Sequence, residues 1–214
     1  MSEALRVPSQ PRAKRTYEAL LSAAQGILAE SGYDGLTSNT VVARAGLTPP
    51  AFYRYFRDKH MMLLVLAERL LDAQNALIDE HLRRDDGTLA GSVEATANLM
   101  LAEIELTKSF TGGVELMLLM RTLPELSELR LQAHDTVSTA LANELLEQYP
   151  ESIPSTTSAR TRLATELYYS TVEMLFETGF RQQEEIIQRA AIALQAVIGW
   201  GESGRQSPTE EPGS

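Results

Sequence analysis

Apolar residues recur every three to four positions along almost the whole of this 214-residue chain, and this spacing restricts the fold more than any other feature. Side chains at such intervals lie on one face of an α-helix. No segment shows the alternation that is typical of a half-buried strand. We therefore predict an all-α fold of about nine helices. Between about residues 12 and 31 the spaced positions are Tyr17, Leu20, Leu21, Ala24, Ile27 and Leu28.

Glycine and proline residues divide this helical pattern. Thr37 or Ser38 is a suitable N-cap for the second helix, and Asp58 for the fourth. We expect the third helix to start nearer Pro50 than Pro49, because a proline disfavours helical backbone in the residue before it. The predicted helices cover about residues 12–31, 37–45, 50–57, 58–84, 88–109, 113–122, 124–149, 156–179 and 183–200.

The same breaks predict the domain organisation. Three short helices form an N-terminal head, over about residues 12–70, and six more form a larger body over residues 71–200. The two ends, residues 1–11 and 201–214, are rich in proline, glycine and polar residues. We expect them to be a disordered arm and a disordered tail.

Basic residues are concentrated in the head. Residues 1–60 carry eight lysines and arginines against five acidic residues, a net charge of +3, whereas the remainder carries 11 against 24, a net charge of −13. The formal net charge of the whole chain is −10. A basic head on an acidic body indicates that the head alone contacts a polyanion.

Several function classes are disfavoured by what the sequence lacks. It contains no cysteine, which excludes disulfides and thiolate-bound metals and suits a reducing cytoplasm. No apolar run is long enough to span a bilayer, and no signal-peptide pattern opens the chain. The three histidines lack metal-ligand spacing, and neither a catalytic triad nor a phosphate-binding loop is evident. We expect a soluble cytoplasmic protein that is not an enzyme, binds no cofactor or metal and contacts no membrane.

The sequence FYRYFRDK at residues 52–59 places four aromatic rings among three basic residues. With the preceding LTSNTVVARAGLT it predicts two short helices joined by a glycine turn, a helix-turn-helix whose second helix can lie in the major groove of DNA. Phe52 and Phe56 are four residues apart and share the face that packs inward. Tyr53 and Tyr55 then point outward, where their hydroxyls can donate to phosphate oxygens.

The segment AAQGILAESGYDGLTSNTVVARAGLTPPAFYRYFRDK resembles the DNA-binding domain of the TetR family of bacterial transcriptional regulators. Its most specific parts are the turns ESGYDGLT and ARAGLT and the helix junction FYRYFRDK. The resemblance covers about residues 12–70, with the helix-turn-helix at about 37–56. It implies double-stranded DNA as the partner, contacted by Lys14, Arg15, Thr37, Ser38, Asn39, Thr48, Pro49, Pro50, Tyr53, Tyr55 and Lys59.

The resemblance also implies a role for each contact. Thr37 and Ser38 match a phosphate-binding cap, Asn39 matches a position that reaches a base, and Lys59 matches a basic contact that opens the fourth helix. The pair Pro49-Pro50 departs from the family pattern by offering few hydrogen-bond donors. Sequence reading then relies on Thr48, on apolar contacts with thymine and on DNA shape.

The last two predicted helices carry wide apolar faces that include small residues. Two heads related by a two-fold axis select a DNA site far better than one head, and they require half-sites about 34 Å apart. The resemblance implies that these helices pair with their copies as a four-helix bundle. The predicted interface of this homodimer consists of Leu163, Leu167, Ser170, Met174, Ile187, Ala191, Leu194 and Ile198.

The body of TetR-family regulators holds a small-molecule inducer, and adaptable apolar residues near polar ones indicate such a pocket here. We interpret the chain as a homodimeric repressor that binds a palindromic operator and is released by an inducer of unknown identity. A transcriptional activator of the same fold, a constitutive architectural DNA binder without an inducer, and a helical enzyme or carrier with a vestigial head are the alternatives. The candidate pocket residues are Met100, Glu103, Ile104, Met117, Met120, Arg121, His134, Tyr168, Tyr169, Glu173 and Phe176.

Overall fold

The computed structural model describes residues 8–82 and 89–199, which form nine α-helices and no strand. The predicted all-α fold is confirmed. Residues 1–7 of the predicted arm and the whole predicted tail lie outside the described residues. Within the described ranges no helix combines the length and the apolar character that crossing a membrane requires. The helices are α1 Pro11–Gly35, α2 Ser38–Ala45, α3 Pro49–Tyr53, α4 Lys59–Leu82, α5 Leu89–Ser109, α6 Gly113–Thr122, α7 Pro124–Gln148, α8 Pro154–Thr178 and α9 Gln183–Ile198.

The chain divides into two compact units. The first unit comprises Met1–Ala76 and Ile104–Gln132, and the second comprises Leu77–Glu103 and Ala133–Ser214. α1, α2, α3 and α6 belong to the first unit, whereas α8 and α9 belong to the second. The three long helices α4, α5 and α7 contribute residues to both units.

The core of the first unit forms around α1, which packs against α2 and α6. The predicted apolar stripe of α1 is buried along its whole length, from Tyr17 to Leu28. Arg69 of α4 donates to both carboxylate oxygens of Glu18 in α1, at 2.7 Å each. This pairing holds the pKa of Glu18 below its usual range. The paired charges fix α4 on α1.

In the second unit α8 packs along α9. Val172 and Leu175 of α8 and Ala191 of α9 are fully buried. The side-chain amide of Gln195 in α9 donates to the hydroxyl of Thr96 in α5 at 3.0 Å. Apolar packing therefore holds the last two helices together, and a buried hydrogen bond fixes α9 on α5.

Candidate nucleic-acid interface

The first helix of the helix-turn-helix begins at a threonine cap. Thr37 Oγ1 accepts the backbone N–H of Thr40 at 3.1 Å, and Thr40 Oγ1 accepts the backbone N–H of Thr37 at 2.9 Å. This reciprocal pair satisfies amide groups that lack partners in the first turn of a helix. The cap predicted at Thr37 or Ser38 is confirmed at Thr37, and it fixes the start of α2.

A glycine turn joins α2 to α3. Gly46 ends α2 with φ 65° and ψ 33°, a left-handed conformation that glycine adopts at the least cost. Thr48 is the extended N-cap of α3, which begins at Pro49. The helix therefore starts one residue earlier than the sequence indicated, because first-turn residues need no N–H donor and both prolines fit there.

α3 ends at Tyr53, about one turn earlier than predicted. Beyond it, the N–H groups of Tyr55 and Phe56 both bond to the carbonyl of Phe52, at 2.9 and 3.0 Å. This turn places the Phe56 ring 5.7 Å from the Phe52 ring, and both rings are buried. Phe56 also stacks on Tyr17 of α1 at 5.1 Å. The predicted inward face therefore forms although the helix is shorter.

Tyr53 is the ring that faces solvent. It is 59% exposed, and its hydroxyl lies 3.2 Å from the hydroxyl of Ser38 at the start of α2. A hydroxyl combines one donor with two acceptor lone pairs, so this pair retains capacity to bind a phosphate oxygen. The contact joins α2 and α3 into one outward surface.

Tyr55 is half-buried rather than fully outward. Its ring meets the edge of Tyr17 at 5.9 Å, and the guanidinium of Arg54 lies 5.9 Å from its centre. A helical projection placed Tyr55 on the outer face, but α3 ends before this residue, so the projection does not apply to it. Tyr55 therefore offers less surface to a partner than Tyr53 does.

The other predicted DNA contacts are displayed on the elements that the sequence indicated. Two of them lie in the first turns of α1, and the rest lie in α2 and around the start of α3. Ser38 is half-buried. The exposed ones are Lys14, Arg15, Thr37, Asn39, Thr48, Pro49 and Pro50.

Lys59, the first residue of α4, lies on an aromatic ring. Its Nζ is 3.7 Å from the centre of the Tyr33 ring, a cation–π contact. The Tyr33 hydroxyl lies 3.1 Å from His60 Nε2, and His60 Nδ1 lies 3.9 Å from Glu125. Sequence reasoning missed Tyr33, for which the only signal was its place in the ESGYDGLT turn. The ring holds the ammonium group at the junction of α1 and α4.

Arg44 of α2 is paired within the first unit. Its two terminal nitrogens donate to the carboxylate of Glu30 in α1 at 2.6 and 2.7 Å. The guanidinium crosses α1 at Gly26, where an added Cβ would lie 2.5 Å from Nη2. Gly26 therefore permits a bidentate pair that fixes α2 on α1. Arg44 contributes to this scaffold and was not among the predicted DNA contacts.

Residues 20–66 match the family model described as bacterial regulatory proteins, tetR family. The matched range runs from α1 to α4, through the capped α2, the Gly46 turn and α3. This segment of the chain is similar to the DNA-binding region of the tetR family. Relatives in this family are transcriptional regulators, so the prediction that the chain is not an enzyme is confirmed.

Two relatives each match a part of the chain. An uncharacterized HTH-type transcriptional regulator, YvdT, from Bacillus subtilis (strain 168) is 35% identical over 65 residues, 30% of this chain and 32% of that protein. The tetracycline repressor protein class A from transposon 1721 of Escherichia coli is 42% identical over 52 residues, 24% of each chain. The chain therefore aligns with less than a third of each relative's length.

Similarity in structure extends beyond the segment that matches in sequence. A tetR-family transcriptional regulator from Streptomyces coelicolor has a crystal structure that matches with a TM-score of 0.62, at 17% identity, over 86% of this chain and 80% of that chain. At this identity the match shows a shared fold. The all-α TetR-family architecture with an N-terminal helix-turn-helix is thus confirmed over most of the chain.

The second unit of the chain contains a cavity of about 190 Å³. Apolar side chains of α5, α7 and α9, among them Leu99, Leu141 and Leu194, form much of its wall. Tyr168 and Tyr169 of α8 line it as the sequence indicated. Sequence reasoning missed Thr165 in the same wall. A signal was available, since buried threonines recur every four residues in α8, at positions 157, 161 and 165.

The predicted pocket residues fall in both units. Around the cavity, the hydroxyl of Tyr168 donates to Glu103 at 2.6 Å, and the ring of Tyr169 stacks on His134 at 4.0 Å. Met100, Glu173 and Phe176 are also buried in the second unit. The four that belong to the first unit are Ile104, Met117, Met120 and Arg121.

The predicted dimer residues divide by exposure. On α8, Leu163 is 58% and Met174 38% exposed, and Leu167 and Ser170 lie between them at helical spacing. On α9, Ile187, Ala191 and Leu194 are buried within the chain itself, and Ile198 is half-buried. The buried three offer a second chain no surface, because they pack against the chain's own helices. The exposed large apolar residue of α9 is Ile192, at 49%.

Proposed function

We propose that this chain is a DNA-binding transcriptional repressor of the TetR family that acts in the cytoplasm as a homodimer on a palindromic operator. The single observation that carries the DNA-binding part is the outward surface of α2 and α3, where Tyr53 is largely exposed and its hydroxyl meets that of Ser38. Hydroxyl, amide and basic side chains supply most protein contacts to the DNA backbone. One matched relative is named a repressor. We therefore propose that this chain represses transcription and does not activate it.

Homodimerisation through α8 is supported by an unpartnered apolar stripe. Leu163, Leu167, Ser170 and Met174 follow each other at intervals of four, three and four residues, so they lie on one face of the helix. Leu163 alone is 58% exposed. Contiguous exposed apolar surface of this kind marks an association site. Ile192 of α9 extends the proposed interface in place of the buried α9 residues.

Release by a small-molecule inducer is supported by the cavity of the second unit. A volume of about 190 Å³ exceeds that of an apolar cavity of about 150 Å³ that binds benzene. An inducer acts only through its different affinity for the DNA-binding and released states. Couplings of about 1–3 kcal/mol are typical and would weaken operator binding roughly 5- to 150-fold.

Selection from fragmented DNA of the source genome tests this function. Immobilised full-length protein is incubated with the fragments at physiological salt, and the retained DNA is sequenced. We expect enriched fragments that share an inverted repeat, with half-sites about one helical turn apart, upstream of coding sequences. Retention of fragments in proportion to the input would contradict sequence-specific regulation and favour an architectural binder. A reporter placed behind the selected site then distinguishes repression from activation.

A further inference from the structure

A buried carboxylate lies beside the cavity of the second unit. Glu103 has no exposed surface, and its Oε2 accepts the hydroxyl of Tyr168 at 2.6 Å. Its Oε1 is buried and has no hydrogen-bond partner among the described residues. A second acid of the same unit, Glu173, is only 4% exposed. In its ionised form, an incompletely paired carboxylate in such surroundings is strongly unfavourable unless a ligand completes its contacts.

Helix geometry places Glu103 on the cavity-facing side of α5, beyond the residues that line the cavity. Thr96 and Leu99 of α5 line the cavity, and Glu103 follows them by seven and four residues, on the same face of the helix. The Tyr168 ring forms part of the cavity wall, and its hydroxyl is bonded to Glu103. The carboxylate therefore lies at the hydroxyl end of that ring.

Two more polar atoms in this wall lack partners. The hydroxyls of Thr165 and Tyr169 are buried without a hydrogen-bond partner among the residues that the structure describes. Both residues line the cavity, and they are only 4% and 2% exposed. Buried polar groups in native proteins are almost always hydrogen-bonded. Two such atoms in the wall, beside a carboxylate that is bonded to the wall residue Tyr168, indicate a ligand with a polar head group.

We propose that the cavity binds a small lipophilic amine in its protonated form. Its ammonium group contacts the hydroxyls of Thr165 and Tyr169 with Glu103 as the nearby counter-charge, and its apolar body lies among Leu99, Leu141 and Leu194. The faces of aromatic rings attract cations, so the two tyrosines favour the same head group. This inference rests on the proposed function, since it names the chemical class of the inducer.

Arg160, which also lines the cavity, favours an anionic ligand instead. It is half-buried, so water reaches its guanidinium and stabilises the charge without a ligand. Glu103 is fully buried and receives no such solvation. The need for a counter-charge is therefore greater at Glu103 than at Arg160. An anionic ligand remains a defined outcome of the test.

The binding of an amine is expected to depend on pH. Burial raises the pKa of Glu103 to about 7, with the nearby Glu173 acting in the same direction and the Tyr168 hydrogen bond acting against it. Tyr169 also faces this carboxylate, and His134 stacks on Tyr169 with its Nδ1 3.3 Å from Glu166. A bound cation favours the ionised carboxylate. Affinity therefore rises through this range, by about tenfold between pH 6 and pH 8.

Three matched probes test the proposal by calorimetric titration of the full-length protein without DNA. They are phenethylamine, 2-phenylethanol and 3-phenylpropanoate, which share a ring and a two-carbon chain and differ in the charge of the head group. We expect the amine to bind at least tenfold more tightly than the alcohol at pH 8, with an affinity that falls toward pH 6. Tighter binding of the carboxylate, equal binding of amine and alcohol, or no binding of the amine at millimolar concentration overturns the proposal.

Two variants locate the head group. Glu103→Gln keeps the size of the side chain and an acceptor for Tyr168, so we expect a folded protein that binds the amine no better than the alcohol, at an affinity independent of pH. Glu105→Gln, the same change on an exposed acid that pairs with Lys108, should bind like the original chain. Amine binding unchanged in Glu103→Gln overturns the assignment. Because these titrations contain no DNA, their failure is distinct from failure of the operator selection.

Discussion

The four aromatic rings of residues 52–56 differ in burial although they are close in sequence. Phe52 and Phe56 are buried, Tyr55 is half-buried against Tyr17, and Tyr53 is 59% exposed. A large ring held in water gains little stability from its position. Its hydroxyl contact with Ser38 leaves hydrogen-bonding capacity on the outer surface. The exposed ring is therefore better explained by a partner than by the fold.

Lys59 is the basic residue whose position is best defined at this surface. Its Nζ lies 3.7 Å from the centre of the Tyr33 ring, which orders the side chain before any DNA binds. If it contacts a phosphate in each half-site, Lys59→Ala should lower the slope of log affinity against log salt by about one unit per half-site. Fluorescence anisotropy with the selected operator at several salt concentrations measures this slope.

Lys108→Ala is the matched control for Lys59, since it removes the same charge from a lysine that pairs with Glu105. We expect its salt slope to equal that of the original chain. An unchanged slope in Lys59→Ala would remove Lys59 from the phosphate contacts.

Glu103 predicts a pH dependence of stability in the ligand-free protein. Its pKa is raised from 4.5 to about 7 in the folded state, so the folded protein holds this proton more tightly than the unfolded chain does. The stability that this provides is complete below about pH 4.5 and is lost as pH rises through 7. At pH 8, Glu103→Gln should be more stable than the original chain by on the order of 3 kcal/mol.

Urea unfolding at pH 5 and pH 8 measures this difference. The two proteins should differ far less at pH 5, where Glu103 is protonated in the folded state. A Glu103→Gln variant that gains no relative stability between the two pH values would show that the carboxylate is ionised at little cost.

At the scale of elements, the turn between α2 and α3 depends on one backbone conformation. Gly46 has φ 65°, and nothing lies within 4 Å of a Cβ built at this position. The cost of Gly46→Ala is therefore conformational and not steric, and we expect it to be about 1 kcal/mol. Asparagine tolerates left-handed backbone better, so Gly46→Asn should cost less. Chemical unfolding of both variants checks this order, and equal stabilities of all three proteins would contradict it.

The exposed stripe of α8 predicts where the proposed dimer forms. Leu163→Glu combined with Met174→Glu places two charges on exposed positions of one helix face, so the monomer should fold while the dimer dissociates. Light scattering after size-exclusion chromatography measures the molar mass. Leu131→Glu, at a leucine of α7 that is 41% exposed, is the control and should leave the mass unchanged. A dimer that persists in the double variant would place the interface on another surface.

At the scale of the whole chain, the sequence predicted the order and number of helices because apolar spacing and glycine or proline breaks are local signals. It predicted the burial of Phe52 and Phe56, and the caps at Thr37 and Asp58. It missed the early end of α3, and with it the half-burial of Tyr55, because a five-residue helix leaves too little periodicity to mark its end. The Lys59–Tyr33 contact joins residues far apart in sequence, so no local pattern encoded it.

The cavity was harder to predict than the fold. Tyr168 was predicted as part of an apolar lining and Tyr169 as a polar group near an apolar stripe, but Thr165 and Gln195, which also line the cavity, were missed. On α9, an apolar stripe indicated an interface, yet Ile187, Ala191 and Leu194 are buried within the chain. Periodicity identifies an inward face but does not distinguish packing within one chain from packing between two chains.

The proposed DNA-binding function depends most on the outward surface of α2 and α3, and operator binding by Tyr53→Ala tests this surface most directly. A dimer makes each head contact twice, so the loss of a hydrogen bond worth about 1 kcal/mol in each half-site should weaken binding about 30-fold. Because Tyr53 is 59% exposed, the melting temperature and molar mass should change little. We predict weakened operator affinity in a stable, dimeric variant; affinity within twofold of the original chain would contradict the proposed role of this surface.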